Sequence, residues 1–227
     1  MTAAEIDHGS PAVPARARPA VVGARLAWLH LASRRAPAAT GLLAAISALL
    51  WASLNWHWNI AGGPSAQRVI PLTIEAGTAA VIAVSTYGPF GEPERATGRW
   101  LPWLRLAAAF LLTAAAVGAL AAAGAGAHLA GGPLDVLRNV AGITGIGLLC
   151  AATISGGLAW IGPVAYLIPG LYALYTQWHH PALTTPWLWP GRPPHDLGAA
   201  ICAGLVFAAG VAAITVRGAR DVVGEPA

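Results

Sequence analysis

The feature that most constrains the fold is a long run without charge. Between Asn139 and Gly191 the chain contains no Asp, Glu, Lys or Arg. A transmembrane helix needs about 20 predominantly apolar residues, so this run is too long for a single crossing. Gly162-Pro163 divides its apolar part into two suitable lengths, because proline interrupts a helix. The run therefore predicts two membrane-spanning helices with a tight turn at Gly162-Pro163.

Composition points to the same class of protein. The chain is 56% hydrophobic and 10% charged, whereas about a quarter of the residues in soluble domains are charged. Every basic residue is an arginine, and most arginines lie near the ends of apolar runs. The pI of 9.7 therefore indicates membrane topology and not a nucleic-acid partner. We expect an all-α integral membrane protein in a lipid bilayer.

Four further apolar runs bring the predicted number of spans to six. They are Gly41 to Trp58, Val69 to Tyr87, Leu106 to His128 and Leu197 to Val216. In the third span, Gly118, Ala122 and Gly126 form a stripe of small residues that suits close helix packing. The predicted six-helix transmembrane domain covers residues 37–217, and a short cytoplasmic tail follows at 218–227. An even number of spans places both termini on the same side.

The first 36 residues are predicted to precede the spans in two parts. Residues 1–20 are rich in Ala, Pro and Arg and lack the apolar content to fold, which predicts a disordered cytoplasmic tail. Residues 21–36 predict an amphipathic helix in the membrane interface. Its apolar side carries Val22, Leu26 and Leu29, and Arg25, Arg34 and Arg35 interrupt the run. A cytoplasmic extension of the first span is the alternative for this segment.

The arginines predict the orientation, because short cytoplasmic loops retain more Arg and Lys than exported loops do. With the N-terminus inside, ten arginines are cytoplasmic: Arg16, Arg18, Arg25, Arg34, Arg35, Arg95, Arg99, Arg105, Arg217 and Arg220. Only Arg68, Arg138 and Arg192 are then outside. We expect a multi-pass protein of the plasma membrane with both termini in the cytoplasm.

One predicted cytoplasmic loop is long and charged. Gly88 to Arg105, here called the charged segment, joins the second and third spans and carries Glu92, Glu94, Arg95 and Arg99. These four residues form the surface most available to a soluble partner. The alternative is a solvated polar turn that anchors the topology and binds nothing, which is the usual role of a charged loop.

Glu75 is a carboxylate in the predicted second span. Insertion scales give a cost of about 2.5 to 3.5 kcal/mol for a charged residue at the centre of a span, and such residues normally have a partner or a wet cavity. Glu75 is therefore a candidate functional residue. The alternative is that the span ends earlier and Glu75 caps the helix at its cytoplasmic end.

The predicted outer side collects histidines and tryptophans. His57, His128, His179, His180 and His195 all fall there, and imidazoles are common ligands of copper, zinc and haem iron. The rings of the adjacent His179 and His180 diverge in a regular helix or strand. Our first interpretation is therefore that the chain has no metal site, and a metal site at these two residues is the alternative. Trp178, Trp187 and Trp189 predict a Pro-rich cap at the level of the lipid headgroups.

This arrangement resembles the membrane subunit of an ABC exporter of the type-2 permease class. The shared features are an interfacial helix, six spans, internal termini and a charged loop between spans two and three. "IEAGT", with Glu75, Gly77 and Thr78, is similar to the acidic-x-Gly-Thr stretch that leads into the coupling region of these permeases. Pro89 and Gly98-Arg99 correspond to the proline and the Gly-basic pair that follow it.

The resemblance implies a function and a set of partners. The chain would move a hydrophobic or amphipathic peptide, lipid or drug outward, together with a second permease subunit, identical or different. It has no Gly-x-x-x-x-Gly-Lys loop and no lysine, so ATP and Mg would be bound by separate ATP-binding subunits that dock on the charged segment. No catalytic residue and no cofactor is expected in this chain. The other function classes are a metal- or haem-binding membrane protein and a non-transporting anchor or immunity protein.

Overall fold

The computed structural model describes residues 36–55, 63–86, 101–126, 131–176 and 184–219. Six α-helices account for most of these residues. The helices are α1 (Ala36–Asn55), α2 (Gly63–Ser85), α3 (Leu101–Gly124), α4 (Gly132–Thr153), α5 (Ile161–Tyr175) and α6 (Leu197–Arg217). Two short 3₁₀ helices, Gly156–Leu158 and Trp189–Gly191, precede α5 and α6. The predicted all-helical architecture is therefore confirmed for the described part of the chain.

Within the described ranges, six helical segments are long and apolar enough to cross a membrane. The fifth crossing is counted from Gly156, because the first 3₁₀ helix leads into the short α5. The chain thus has the architecture of a multi-pass membrane protein, as its composition predicts. The predicted interfacial helix at 21–36 lies outside the described residues except for Ala36, which begins α1. The predicted tail at 1–20, and that at 218–227 beyond residue 219, also lie outside them.

Helix α4 lies at the centre of the bundle. About two thirds of it is buried, and it packs most extensively against α6 and then against α2. At the crossing with α6 the two backbones touch. A Cβ added at Gly210 would lie 2.4 Å from the carbonyl oxygen of Gly145, and one added at Gly145 would lie 2.6 Å from the backbone of Phe207. Glycine is needed at both positions because any side chain would separate the helices.

The small-residue stripe of α3 does not make the close packing that was predicted for it. Gly118 and Ala122 face outward, and a Cβ added at Gly118 or Gly126 would have no described neighbour within 4 Å. Instead α3 contacts its neighbours through apolar side chains such as Ala116 and Leu120. The spacing identifies a face of small residues, but it contains no information about which helix that face meets.

The turn between the fourth and fifth crossings also differs from the prediction. It lies at residues 154–160, where the Ser155 hydroxyl accepts a hydrogen bond from the Gly157 backbone N–H at 3.2 Å. Gly162 and Pro163 belong to the first turn of α5. Proline is tolerated there because the first residues of a helix have no intrahelical partner for their N–H groups.

The two ends of the bundle carry different charged groups. At one end, the Arg105 guanidinium at the start of α3 lies beside Gly218, which follows α6: a Cβ added at Gly218 would be 2.7 Å from Arg105 Nη1. We call this the Arg105 end, and the charged segment leads into it. At the other end, Arg138 near the start of α4 donates to the Pro193 carbonyl just before α6. We call this the Arg138 end.

Candidate functional site

The three arginines that the sequence assigns to the outer side lie at the Arg138 end. Arg68 is in the part of α2 next to the α1–α2 connection, Arg138 is in α4, and Arg192 precedes α6. Arg68 lines the same cavity as Asp135, and Arg138 donates a hydrogen bond to the Arg192 carbonyl at 3.3 Å. Residues that are separated in sequence by more than fifty positions therefore surround one polar region.

Arg138 is held by an ion pair and by backbone carbonyls. Its Nη2 donates to Asp135 Oδ1, one turn earlier in α4, and its Nη1 donates to the Pro193 carbonyl at 2.8 Å. A buried guanidinium needs such partners, because an unpaired charge in a low-dielectric surrounding is very costly. The pair allows α4 to begin at Gly132, seven residues before the uncharged run from which its span was predicted.

A second ion pair fixes the start of α6. Arg192 donates to Asp196 Oδ2 from Nε at 2.9 Å and from Nη2 at 2.5 Å. Asp196 Oδ1 accepts from the Ala199 backbone N–H at 2.8 Å, so Asp196 is the N-cap of α6. Partial burial raises the pKa of Asp196, but the Ala199 N–H and the Arg192 guanidinium outweigh it and hold the pKa below 3.8. Asp196 is therefore ionised at neutral pH.

Glu75 and Asn139 meet inside the bundle. Both side chains are buried, each with 5% relative exposure. Asn139 Nδ2, on α4, donates to Glu75 Oε2, on α2, at 2.9 Å. Glu75 is seven residues along α2 from Arg68, a distance of about 10 Å at the helical rise.

A small cavity connects this pair with the Arg138 end. We call it the polar pocket; its lining residues are Arg68, Pro71, Leu72, Glu75, Gly131, Gly132, Asp135, Asn139, Leu174 and Pro190. The space open to the centre of a water molecule is about 40 Å³, which is room for about three waters. The polar pocket lies between α2, α4 and α5, with the second 3₁₀ helix contributing Pro190.

The position of Glu75 distinguishes between its two predicted placements. Glu75 is ten residues from Ser85, the last residue of α2, and is buried within the helix. It therefore lies about 15 Å from the helix end that leads to the charged segment. Glu75 therefore lies in the middle of α2 and caps neither end of this helix.

The position of Trp189 differs from the one predicted for it in the outer cap. Its side chain is 2% exposed and stacks on Tyr166 of α5, with ring centroids 4.6 Å apart. It fills the core and does not face the surroundings, because the 3₁₀ helix Trp189–Gly191 folds back over α5. Trp187 is 49% exposed, as an interfacial residue would be, and its carbonyl accepts from the Tyr166 hydroxyl at 2.6 Å. Trp178 lies outside the described residues.

Several candidate residues fall where the structure gives no description. Glu92, Glu94, Arg95 and Arg99 of the charged segment, and His179 and His180, all lie outside the described residues. Within the ranges that are described, no group of three or more His, Cys, Asp or Glu side chains has the geometry to hold a metal ion. The docking and metal-binding predictions for these residues stay predictions.

Sequence reasoning missed Asn139, Asp135 and Arg138 as site residues. The signal was present, because positions 135, 138 and 139 are three and four residues apart and so share one face of a helix. The uncharged run begins only at Asn139, so Asp135 and Arg138 were assigned to a loop and Asn139 was treated only as a boundary.

Neither protein-family models nor curated proteins nor solved structures match this chain.

Proposed function

We propose that this chain is the permease subunit of an ATP-driven exporter, which moves a hydrophobic or amphipathic substrate outward across the plasma membrane. The observation that supports a transport role is the polar pocket. It places a carboxylate with 5% exposure inside an apolar bundle, next to a water-sized cavity. Ionisable groups in spans are costly and normally mark a substrate or ion pathway. An anchor protein needs only apolar spans, so the pocket favours transport over anchoring.

Energy for export comes from a separate subunit in this proposal. The chain has no Walker-type loop and no lysine, and the two glutamates and three arginines of the charged segment are a large share of its 22 Asp, Glu and Arg side chains. An ATP-binding subunit, carrying Mg and ATP, docks on Glu92, Glu94, Arg95 and Arg99. A second permease subunit, identical or different, completes the complex.

The helices supply a way for docking to act on the pocket. The charged segment joins α2 and α3, and α2 continues from it to Glu75 without interruption. A force applied near Ser85 therefore reaches the pocket through about 15 Å of rigid helix. Tilting of α2 against α4 would change the Glu75–Asn139 contact and open the path at the Arg138 end. Both termini and the charged segment are cytoplasmic in this proposal.

The experiment is charge reversal in the charged segment. Single exposed charges contribute about 0.2 to 1 kcal/mol, whereas like charges placed across an interface cost several kcal/mol. We would combine E92R, E94R, R95E and R99E in the full chain, purify it from its native membrane in mild detergent, and label with an azido-ATP photoprobe. We expect a labelled ATP-binding polypeptide and ATPase activity with the unaltered chain, and loss of both with the quadruple variant.

The control reverses charge elsewhere. R16E with R18E changes two arginines of the N-terminal tail and should leave co-purification unchanged. If the quadruple variant still retains the labelled polypeptide and its ATPase activity, the charged segment is only a topological anchor. If the unaltered chain retains no ATP-binding polypeptide at all, the exporter proposal is wrong.

A further inference from the structure

The inner end of the polar pocket lacks a hydrogen-bond donor. Asn139 donates to Glu75 Oε2 through Nδ2, but its Oδ1 is buried and has no hydrogen-bond partner in the described part of the chain. A buried acceptor without a partner is costly, because it has lost its hydrogen bonds to water and gained none in the protein. Asn139 is itself 5% exposed and lines the pocket. An oxygen acceptor therefore lies beside the carboxylate with nothing to bind.

A proton on Glu75 would supply the missing donor. A neutral carboxylic acid has one O–H donor and keeps an acceptor, and a carboxamide has both. Side by side, the two groups form a pair of hydrogen bonds, from the acid O–H to the amide oxygen and from the amide N–H to the acid oxygen. Protonation thus satisfies Asn139 Oδ1 and also removes a charge from the interior of the bundle.

The hydrogen bond that the structure gives the Glu75 carboxylate comes from the neutral amide of Asn139. Arg68 is on its own helix, about two turns away. From α4, Asp135 lines the pocket, but it forms an ion pair with Arg138. The titratable groups of α5 are tyrosines, α1 has no charged or histidine residue, and the charged residue of α3, Arg105, lies at the opposite end. Gain of a proton would therefore change the net charge of the pocket by one.

The pocket also provides a route for the proton. Three of its lining residues, Arg68, Gly131 and Gly132, lie at the Arg138 end, and its volume holds about three waters. A short file of water can carry a proton from the aqueous phase over the distance of about 10 Å that separates Arg68 from Glu75.

We propose that Glu75 is a proton-exchange site, which gains and loses one proton through the polar pocket from the aqueous phase at the Arg138 end. In the exchange a hydronium ion gives its proton to the carboxylate, leaving water and the neutral acid. Asn139 is a positioning residue that holds the carboxyl group in both states. Proton exchange at Glu75 goes beyond ATP-driven export, which needs no proton. It does not depend on which partner supplies ATP.

The test uses dicyclohexylcarbodiimide, an apolar reagent that modifies protonated carboxyl groups in membranes. The full chain is reconstituted in liposomes, treated over a range of pH, and the adduct on the Glu75 peptide is quantified by mass spectrometry. We expect an adduct at low pH that falls along a single-proton titration curve as pH rises. Glu75→Gln should abolish it. Asn139→Leu should shift the midpoint, which a merely structural role would not do.

A matched control comes from α3. Thr113 has the same 5% exposure as Glu75 and Asn139, but its hydroxyl bonds only to the Ala109 carbonyl of its own helix. Thr113→Val should leave the titration curve unchanged. The sidedness is tested in right-side-out and inverted membrane vesicles, where the adduct should follow the pH of the medium in one orientation only.

Three results would overturn the proposal. They are no Glu75 adduct at any pH, an adduct that does not depend on pH, and protection by Na⁺ at constant pH, which would indicate a metal-cation site.

A second measurement covers the case in which Glu75→Gln fails to fold. The infrared carbonyl band of a protonated acid, sensitive to D₂O, should appear and disappear in the unaltered chain over the same pH range as the adduct. A band that does not titrate would contradict proton exchange.

Discussion

Asn139 connects the two helices that enclose the polar pocket. Its amide group donates to Glu75 from α4 to α2, and both partners are buried. Removing one member of a buried polar pair costs more than the hydrogen bond itself, because the remaining group loses water without gaining a partner. At the scale of single residues, the stability of the bundle should therefore depend strongly on this one amide.

We predict that Asn139→Leu lowers the free energy of unfolding by about 1 to 3 kcal/mol or more, since it leaves the Glu75 carboxylate without its donor. Thermal unfolding of the purified chain in detergent measures the loss. The control is Asn55→Leu, because the Asn55 amide bonds to the Trp51 carbonyl at an exposed helix end, where changes usually remain within about 0.5 kcal/mol. Equal losses in the two variants would show that the pairing with Glu75 contributes nothing.

Asp196 gives a prediction about pH. Its pKa is lower in the folded chain than 3.8, so the unfolded state binds the proton more readily. The ionised group therefore stabilises the fold above this pH, and the contribution is lost as pH falls through the folded pKa. Asp196→Asn keeps a side-chain acceptor for the cap but removes the charge. We expect the unaltered chain to unfold at a higher temperature than this variant at neutral pH, and the two temperatures to converge in acid.

The crossing of α4 and α6 brings two helix backbones into direct contact. Gly145 and Gly210 let the two backbones touch, and this holds the start of α6, with its Arg192–Asp196 pair, beside Arg138. Sequence spacing pointed to α3 for such a contact, because small residues in one helix are visible along the chain whereas their partners are not. Even one methyl group added at a glycine of this crossing should lower the stability of the chain.

We predict that Gly210→Ala destabilises the chain by about 1 to 3 kcal/mol through overpacking, although alanine is the better helix former. A Cβ there would lie 2.4 Å from the Gly145 carbonyl oxygen. Gly204→Ala is the matched control on the same helix, since its Cβ would meet no described atom within 4 Å. The midpoint of thermal aggregation, followed by size-exclusion chromatography in detergent, compares them. A loss in both variants alike would contradict the packing argument.

The helices themselves were the most predictable part of the molecule. Each apolar run overlaps one long helix, or two in the case of the run from Asn139 to Gly191, because the length and hydrophobicity that a bilayer requires are properties of one continuous segment. The start of α4 was missed because the Asp135–Arg138 pair neutralises two charges within a helix. Glu75 was recognised alone, but its partner is 64 positions away in sequence. Contacts between distant segments depend on packing, and no local pattern encodes them.

At the scale of the whole molecule, the arginines separate into two groups. Arg105 lies beside the end of α6, and the charged segment leads into this end of the bundle. Arg138 and Arg192 are joined at the opposite end, where Arg68 lines the polar pocket. Of the ten arginines that the sequence assigns to the cytoplasm, the structure describes Arg105 and Arg217, and both lie at the Arg105 end. If the larger group is cytoplasmic, the polar pocket opens to the outside.

This orientation is tested by cysteine labelling in intact cells. With Cys150 and Cys202 replaced by alanine, a single cysteine is introduced as Glu94→Cys in the charged segment or as His195→Cys, an exposed position at the Arg138 end. We expect a membrane-impermeant maleimide to label His195→Cys in intact cells and Glu94→Cys only after permeabilisation. The opposite pattern would reverse the orientation, and with it the side from which Glu75 exchanges its proton. Labelling of both from the same side would contradict the crossings of α3, α4 and α5, since these three helices separate the two positions.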